Sequence, residues 1–220
     1  DLRYDPPVQV PGAFYAGNEP HGPLVMPGTY QLKLTVAGKS YAAPIEVKLD
    51  PRVKLSDADL QKQFELAGRT RDRIDELHRT INQLRDVRAQ LNELGKRLGE
   101  TSKAKPIIDA AQQLEKKMQP VELQMIQFNM KSSEGNLVFP VMLNEQWYQF
   151  NQTIDMADAA PTAQQVAVFD QLSKRTDTQL AQWREILNRD LPDLNAMIRR
   201  EDIPVIYVAP MESGKPVAAQ

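Results

Sequence analysis

Cysteine is absent from the 220 residues. That excludes disulfides, thiolate metal sites and a cysteine nucleophile within this chain. It leaves the compartment open, since exported proteins also lack cysteine. Long apolar runs are missing too, and no stretch approaches the roughly 18 residues of a membrane span. Neither sign of charge dominates: 27 basic residues stand against 29 acidic ones, for a net charge of -2. A nucleic-acid footprint needs an excess of lysine and arginine on one face, so no nucleic-acid partner is expected. Gly-rich phosphate loops, G-x-S-x-G elbows and H-E-x-x-H are all absent. The opening "DLRYDPPVQVPG" lacks the layout of a signal peptide, so an export signal is expected to have been removed or to lie upstream of Asp1.

What is present falls into two regions with different periods. In "TYQLKLTV", Tyr30, Leu32, Leu34 and Val36 alternate with Thr29, Gln31, Lys33 and Thr35, the period of a half-buried strand. Gly38 in "AGKS" suits a tight hairpin turn. The return strand puts Ile45, Val47 and Leu49 on one side, with Glu46 and Lys48 on the other. Pro44 marks a sheet edge or a bulge. A lone hairpin is marginal in water, so a larger sheet is expected. "DLRY" and "AFYAG" are candidates for its further strands. About 50 residues is short for an immunoglobulin-type sandwich of ~100. Either the sandwich is small or its first strands precede Asp1.

At Ser56 the period becomes helical. Ser56 with Asp59 forms an N-terminal cap. Leu77, Leu84, Leu91 and Leu98 repeat every seventh residue, a seam of coiled-coil type that predicts a helix ending near Gly95 to Gly99. Glu65 with Arg69, Asp75 with Arg79 and Glu93 with Arg97 read as exposed i,i+4 pairs. A second helix restarts between Ser102 and Pro106 with Ile107, Ile108, Ala111, Leu114 and Met118 as its stripe, and Pro120 is expected to kink it. A third begins near Pro140 and carries Leu143, Trp147, Phe150 and Ile154. Thr162 with Gln165 is a capping box opening a fourth, through Val166, Phe169, Leu172, Leu180, Trp183 and Leu187. Pro192 is expected to end or kink it. Short connections imply antiparallel neighbours.

The fold class expected is therefore α+β, a small antiparallel immunoglobulin-like β-sandwich, N-terminally truncated if its first strands lie upstream, followed by an antiparallel three- to four-helix bundle. Residues 1–54 make the β region, 55–200 the bundle, and 201–220 a tail whose "IPVIYVAP" has strand character and is expected to return to the sheet.

Few residues invite a chemical role. His78 beside the seam reads as a structural histidine, since no second ligand sits at metal spacing. His21, next to Glu19 in a Pro/Gly loop, is the better candidate for metal or acid-base work. Paired carboxylates across a cleft would suit a glycosidase, but no such pair stands out. Tyr4, Phe14, Tyr15, Tyr30 and Tyr41 suit either packing or stacking on sugar rings. No catalytic, cofactor-binding or metal-binding residue is assigned, and no cofactor is expected.

Taken in order, "DLRY", "GPLVMPGTYQLKLTVAGKSYAAPIEVKLDPRV", "ADLQKQFELAGRTRDRIDELHRTINQLRDVRAQL", "NLVFPVMLNEQW" and "ADAAPTAQQVAVFDQLSKRTDTQLAQWREIL" cover nearly the whole chain. These blocks resemble the immunoglobulin-like segment and helical bundle that follow the repeats in secreted bacterial sortilin-like or BNR-repeat β-propeller proteins, often described as glycosyl hydrolases. The resemblance implies a periplasmic or extracellular setting and an upstream β-propeller of the same parent chain as partner. It implies a non-catalytic accessory module acting as support, spacer or docking domain, and it carries no catalytic residue to these positions. Set against it are a glycan-binding or glycoside-hydrolase-associated module, and a domain that self-associates through its long heptad helix.

Overall fold

The structure is a computed structural model, and it describes residues 1–15, 17–98 and 104–211. It is a mixed α+β arrangement, mostly helical, with a two-stranded antiparallel sheet. Strand β1 (Gly28–Val36) and strand β2 (Lys39–Val47) form the hairpin. Helices α1 (Asp57–Leu98), α2 (Lys105–Met125), α3 (Leu143–Ile154), α4 (Ala163–Glu185) and α5 (Leu191–Arg200) follow.

Helix α1 opens on its expected cap: the Asp59 N–H donates to Ser56 Oγ at 3.1 Å, and Ser56 Oγ donates back to the Asp59 carboxylate at 2.8 Å. At 1.5 Å per residue its 42 residues span about 63 Å. The heptad leucines Leu77, Leu84 and Leu91 are buried, as are Ile74, Ile81, Val87 and Leu94 between them. Helices α2, α3 and α4 all pack on α1, so this seam is the core of the bundle.

On α2, Ile107, Ala111, Leu114 and Met118 are buried as the stripe requires. Pro106 sits in its first turn, where a missing N–H costs nothing. Pro120 lies inside α2, which runs on to Met125. Leu143, Trp147, Phe150 and Ile154 of α3 are all buried. The Thr162–Gln165 box forms on α4, with both reciprocal bonds made. Val166 departs from expectation and is exposed. At 100° per residue it stands roughly 80° from the centre of the stripe set by Phe169, Leu172, Leu180 and Trp183.

Pro192 does not end its helix. Residues Ile186–Asp190 widen into a π-helical turn, in which the Leu191 N–H reaches back to Ile186 O, and α5 continues with Pro192 in its first turn. A widened turn just ahead of a proline gives its ring room against the preceding turn, so the helix continues without the missing N–H. Among the described residues the α-helices therefore form four rods, the last made of α4 and α5 together.

The N-terminal segment and the described part of the tail add no strand to the hairpin and bond to the helices instead. "DLRY" makes one antiparallel bridge, Arg3 to Leu24, rather than a strand. Gly22 is required there, because a Cβ would run into the backbone of Tyr4 and Asp5. Residues 13–15 of "AFYAG" carry no ladder. Of the tail, residues 212–220 lie outside the described residues, and the described part is relocated: Asn195 brackets Ile206, accepting from its N–H at 2.8 Å and donating to its carbonyl at 2.9 Å, and the Tyr207 N–H donates to Gln90. Ile206 is buried in the helical core, which draws the segment to α1 and α5 and away from the sheet.

Candidate docking surface and the buried polar groups

The hairpin turns through Ala37 and Gly38, with φ of +47° and +79°. Two positive φ values in a two-residue loop define a type I′ turn, whose twist suits antiparallel strands. Cross-strand neighbours share a face. Tyr30 therefore stands with Ile45, Leu32 with Ala43, and Leu34 with Tyr41 on an apolar face, while Thr29 stands with Glu46, Lys33 with Ala42 and Thr35 with Ser40 on a polar one. The register is unbroken at Pro44, which pairs with Gln31 without a bulge.

That apolar face is not covered. Leu32, Leu34, Val36 and Tyr41 are 55%, 61%, 53% and 59% exposed. Among the described residues, no Cα of either strand comes within 8 Å of one in a helix. Only the base approaches the bundle, where a cleft of about 240 Å³ is lined by Pro23, Val25, Val47, Leu49, Leu60 and Phe64. One wet face is normal for an antiparallel sheet, but it is ordinarily the polar one. A contiguous exposed apolar face is the signature of an interaction surface.

The N-terminal segment is held to the bundle by a polar stripe on α1. Arg71 Nε donates to Asp5 O at 3.0 Å, and Asp75 accepts from the Val8 N–H at 2.8 Å. His78 Nδ1 donates to Val8 O, Asn82 donates to Gln9 O at 2.9 Å, and Arg85 to Pro11 O at 3.0 Å. Spacings of four, three, four and three keep these five residues on one helical face. Extended backbone has no partner within its own segment for its N–H and C=O groups, and this stripe supplies partners.

The two histidines fall in different surroundings. His78 is fully buried, its Nε2 lies 2.6 Å from the Asn144 amide oxygen, and Tyr15 Oη donates to that same oxygen at 3.1 Å. Burial pushes the His78 pKa down and the Tyr15 phenol up. His21 is half-buried, 3.6 Å from the Asp155 carboxylate, which Arg3 pairs at 2.6 Å. The His21 backbone bonds the Asn151 side chain in both directions, and Glu19 is exposed. Among the described residues no group of three or more histidine, aspartate or glutamate side chains is arranged to hold a metal ion.

Buried carboxylates are engaged in the frame. Glu122 is clasped by Arg85 and Arg88. Glu145 accepts from the Met142 N–H at 2.8 Å and from Asn144 at 3.0 Å. Of the expected i,i+4 pairs, Asp75–Arg79 forms at 2.6 Å. Glu93 pairs instead with Lys96, Glu65 accepts from Gln61, and Arg69 lies 4.3 Å above the Phe169 ring.

The tyrosines are dispersed. Tyr4 packs on Phe64 and Tyr15 on Tyr148, while Tyr41 stands on the hairpin. No shared stacking platform results. No helix among the described residues is long and apolar enough to cross a membrane. Comparison of the chain with protein-family models, with curated proteins and with solved structures found no match.

Proposed function

We propose that this chain is a non-catalytic accessory module of a larger exported protein of the sortilin-like or BNR-repeat β-propeller kind that its sequence resembles. In this reading the bundle is a rigid mount, and the hairpin supplies two strands to an immunoglobulin-like sandwich completed by strands from elsewhere in the parent polypeptide. The observation that carries it is the open apolar face of Leu32, Leu34, Val36 and Tyr41 on a hairpin that approaches the described helices only at its base. Two strands alone are marginally stable in water, and covering that face with a second sheet removes the defect. Five side chains of α1 hold the N-terminal segment to the bundle, in keeping with a rigid mount.

An antibody raised to the bundle, used on fractionated native cells, tests the reading. A band far above the mass of this chain, in the periplasmic or secreted fraction, is the expected result. A band at the chain's own mass in the cytoplasm would overturn it.

A further inference from the structure

The hairpin's two outer edges are not equivalent, and the difference follows from the turn. In a two-residue I′ hairpin the closing pair, here Val36 and Lys39, exchanges both backbone bonds, and bonded and non-bonded pairs then alternate. Leu34/Tyr41, Leu32/Ala43 and Tyr30/Ile45 are therefore bonded across the hairpin. The intervening residues turn their backbone groups outward: Thr29, Gln31, Lys33 and Thr35 on β1, and Ser40, Ala42, Pro44 and Glu46 on β2. The outer row of β2 has a gap, because Pro44 carries no N–H, and a proline in that position blocks strand addition. The outer row of β1 is complete, and none of its four residues makes a backbone bond to a described residue outside the hairpin.

Charge narrows the occupant further. Lys33 is the one side chain of β1 that is charged at neutral pH. It lies opposite Ala42, is exposed, and is in none of the ion pairs of the described residues. A strand laid on this edge puts a side chain directly across from Lys33 on the polar face, and there an acidic residue is favoured and a basic one disfavoured.

We infer that the free edge of β1, and not that of β2, receives an added β-strand from a partner β-domain, one that alternates apolar and polar side chains and sets a carboxylate against Lys33. Its backbone bonds to Thr29, Gln31, Lys33 and Thr35, and its apolar side chains extend the face of Leu32 and Leu34. This rests on the reading of the hairpin as a docking element, and it names the edge and the chemistry that element uses.

The test uses the full chain, isotope-labelled, with a short capped peptide that alternates valine with threonine and has glutamate at its centre. Amide exchange is followed residue by residue. The expected result is slowing of roughly tenfold or more at Gln31, Lys33 and Thr35 with none at Ala42 or Glu46. A peptide with lysine at its centre is expected to be the weaker ligand, and K33E to reverse that preference. Q31P, which removes a donor from the β1 edge alone, abolishes the slowing, whereas A42P leaves it. Slowing at Ala42 and Glu46 instead would overturn the edge assignment while leaving docking intact. So would shifts of the Leu32 and Leu34 methyls without slowing of any edge amide. No response anywhere would remove both the inference and the docking reading. Slowing of the β1 amides by added protein alone would replace the partner with a second copy.

Discussion

Leu34 stands directly across the hairpin from Tyr41, on the same face, and the two are 61% and 59% exposed. Cross-strand aromatic–aliphatic pairs of this kind are ordinarily part of a core. Here the pair has formed without the sheet that would cover it. The bundle behind it is packed: its heptad seam is buried, the Ser56 and Thr162 caps are made, and the buried carboxylates Asp75, Glu122 and Glu145 are all bonded.

Polar replacements on the hairpin face are expected to leave the bundle intact. L32T with L34T should shift the thermal midpoint of the helices by no more than about 0.5 kcal/mol equivalent, as surface changes do. The same double variant should lose binding of a hydrophobic-surface dye. A large loss of helix stability would show that the hairpin contributes to the core after all.

The seam carries the stability. Leu84 is fully buried among α1 and its neighbours, so L84A is expected to cost about 2–5 kcal/mol in urea unfolding. A loss comparable to a surface change would contradict the packing described.

Loosening the strap should be local. Asn82 donates to Gln9 O at 2.9 Å, and N82A removes a bond worth about 1 kcal/mol. Limited proteolysis is expected to cut faster around residues 8–12 in this variant, with the helices unaffected. Unchanged cleavage there would mean that the other four stripe residues hold the segment without it.

Acid should weaken the same region. Burial pushes the His78 pKa below its ordinary value of 6.5, so the unfolded chain binds this proton more readily than the folded one. Its contribution is complete above about pH 6.5 and is lost as pH falls from there through the lower folded value. Unfolding midpoints measured between pH 7.5 and 5 are expected to fall, and to fall less in H78Q. Identical pH profiles for the two proteins would assign the dependence elsewhere.

Local patterns in the sequence translate directly where the energy is local or one-faced. The Ser56 and Thr162 caps, the leucine heptad and the alternation of β1 are each visible in a few residues, and each appears in the fold. The polar stripe was hidden for a physical reason. Arg71, Asp75, His78, Asn82 and Arg85 have the spacing of a helical face, but charged and amide side chains at that spacing equally describe a face turned to water. Their partners are backbone groups of a proline-rich segment some 70 residues away, and backbone leaves no side-chain signature. The tail misled in the opposite sense. "IPVIYV" has the composition of a strand, yet Asn195 and the burial of Ile206 hold it on the helices. The hairpin's alternation showed which face is apolar, but not that nothing within the described residues covers it.

Amide hydrogen exchange on the full chain alone, at low concentration, is the most direct test of the central claim that the hairpin is an unpartnered element on a stable mount. Amides of α1 around Leu77 to Leu91 are predicted to exchange only through global unfolding. Those of Leu32, Leu34, Tyr41 and Ala43, bonded only across the hairpin, are predicted to exchange orders of magnitude faster. Hairpin protection equal to that of α1 would contradict the account, because it would mean that the apolar face is already covered within this chain.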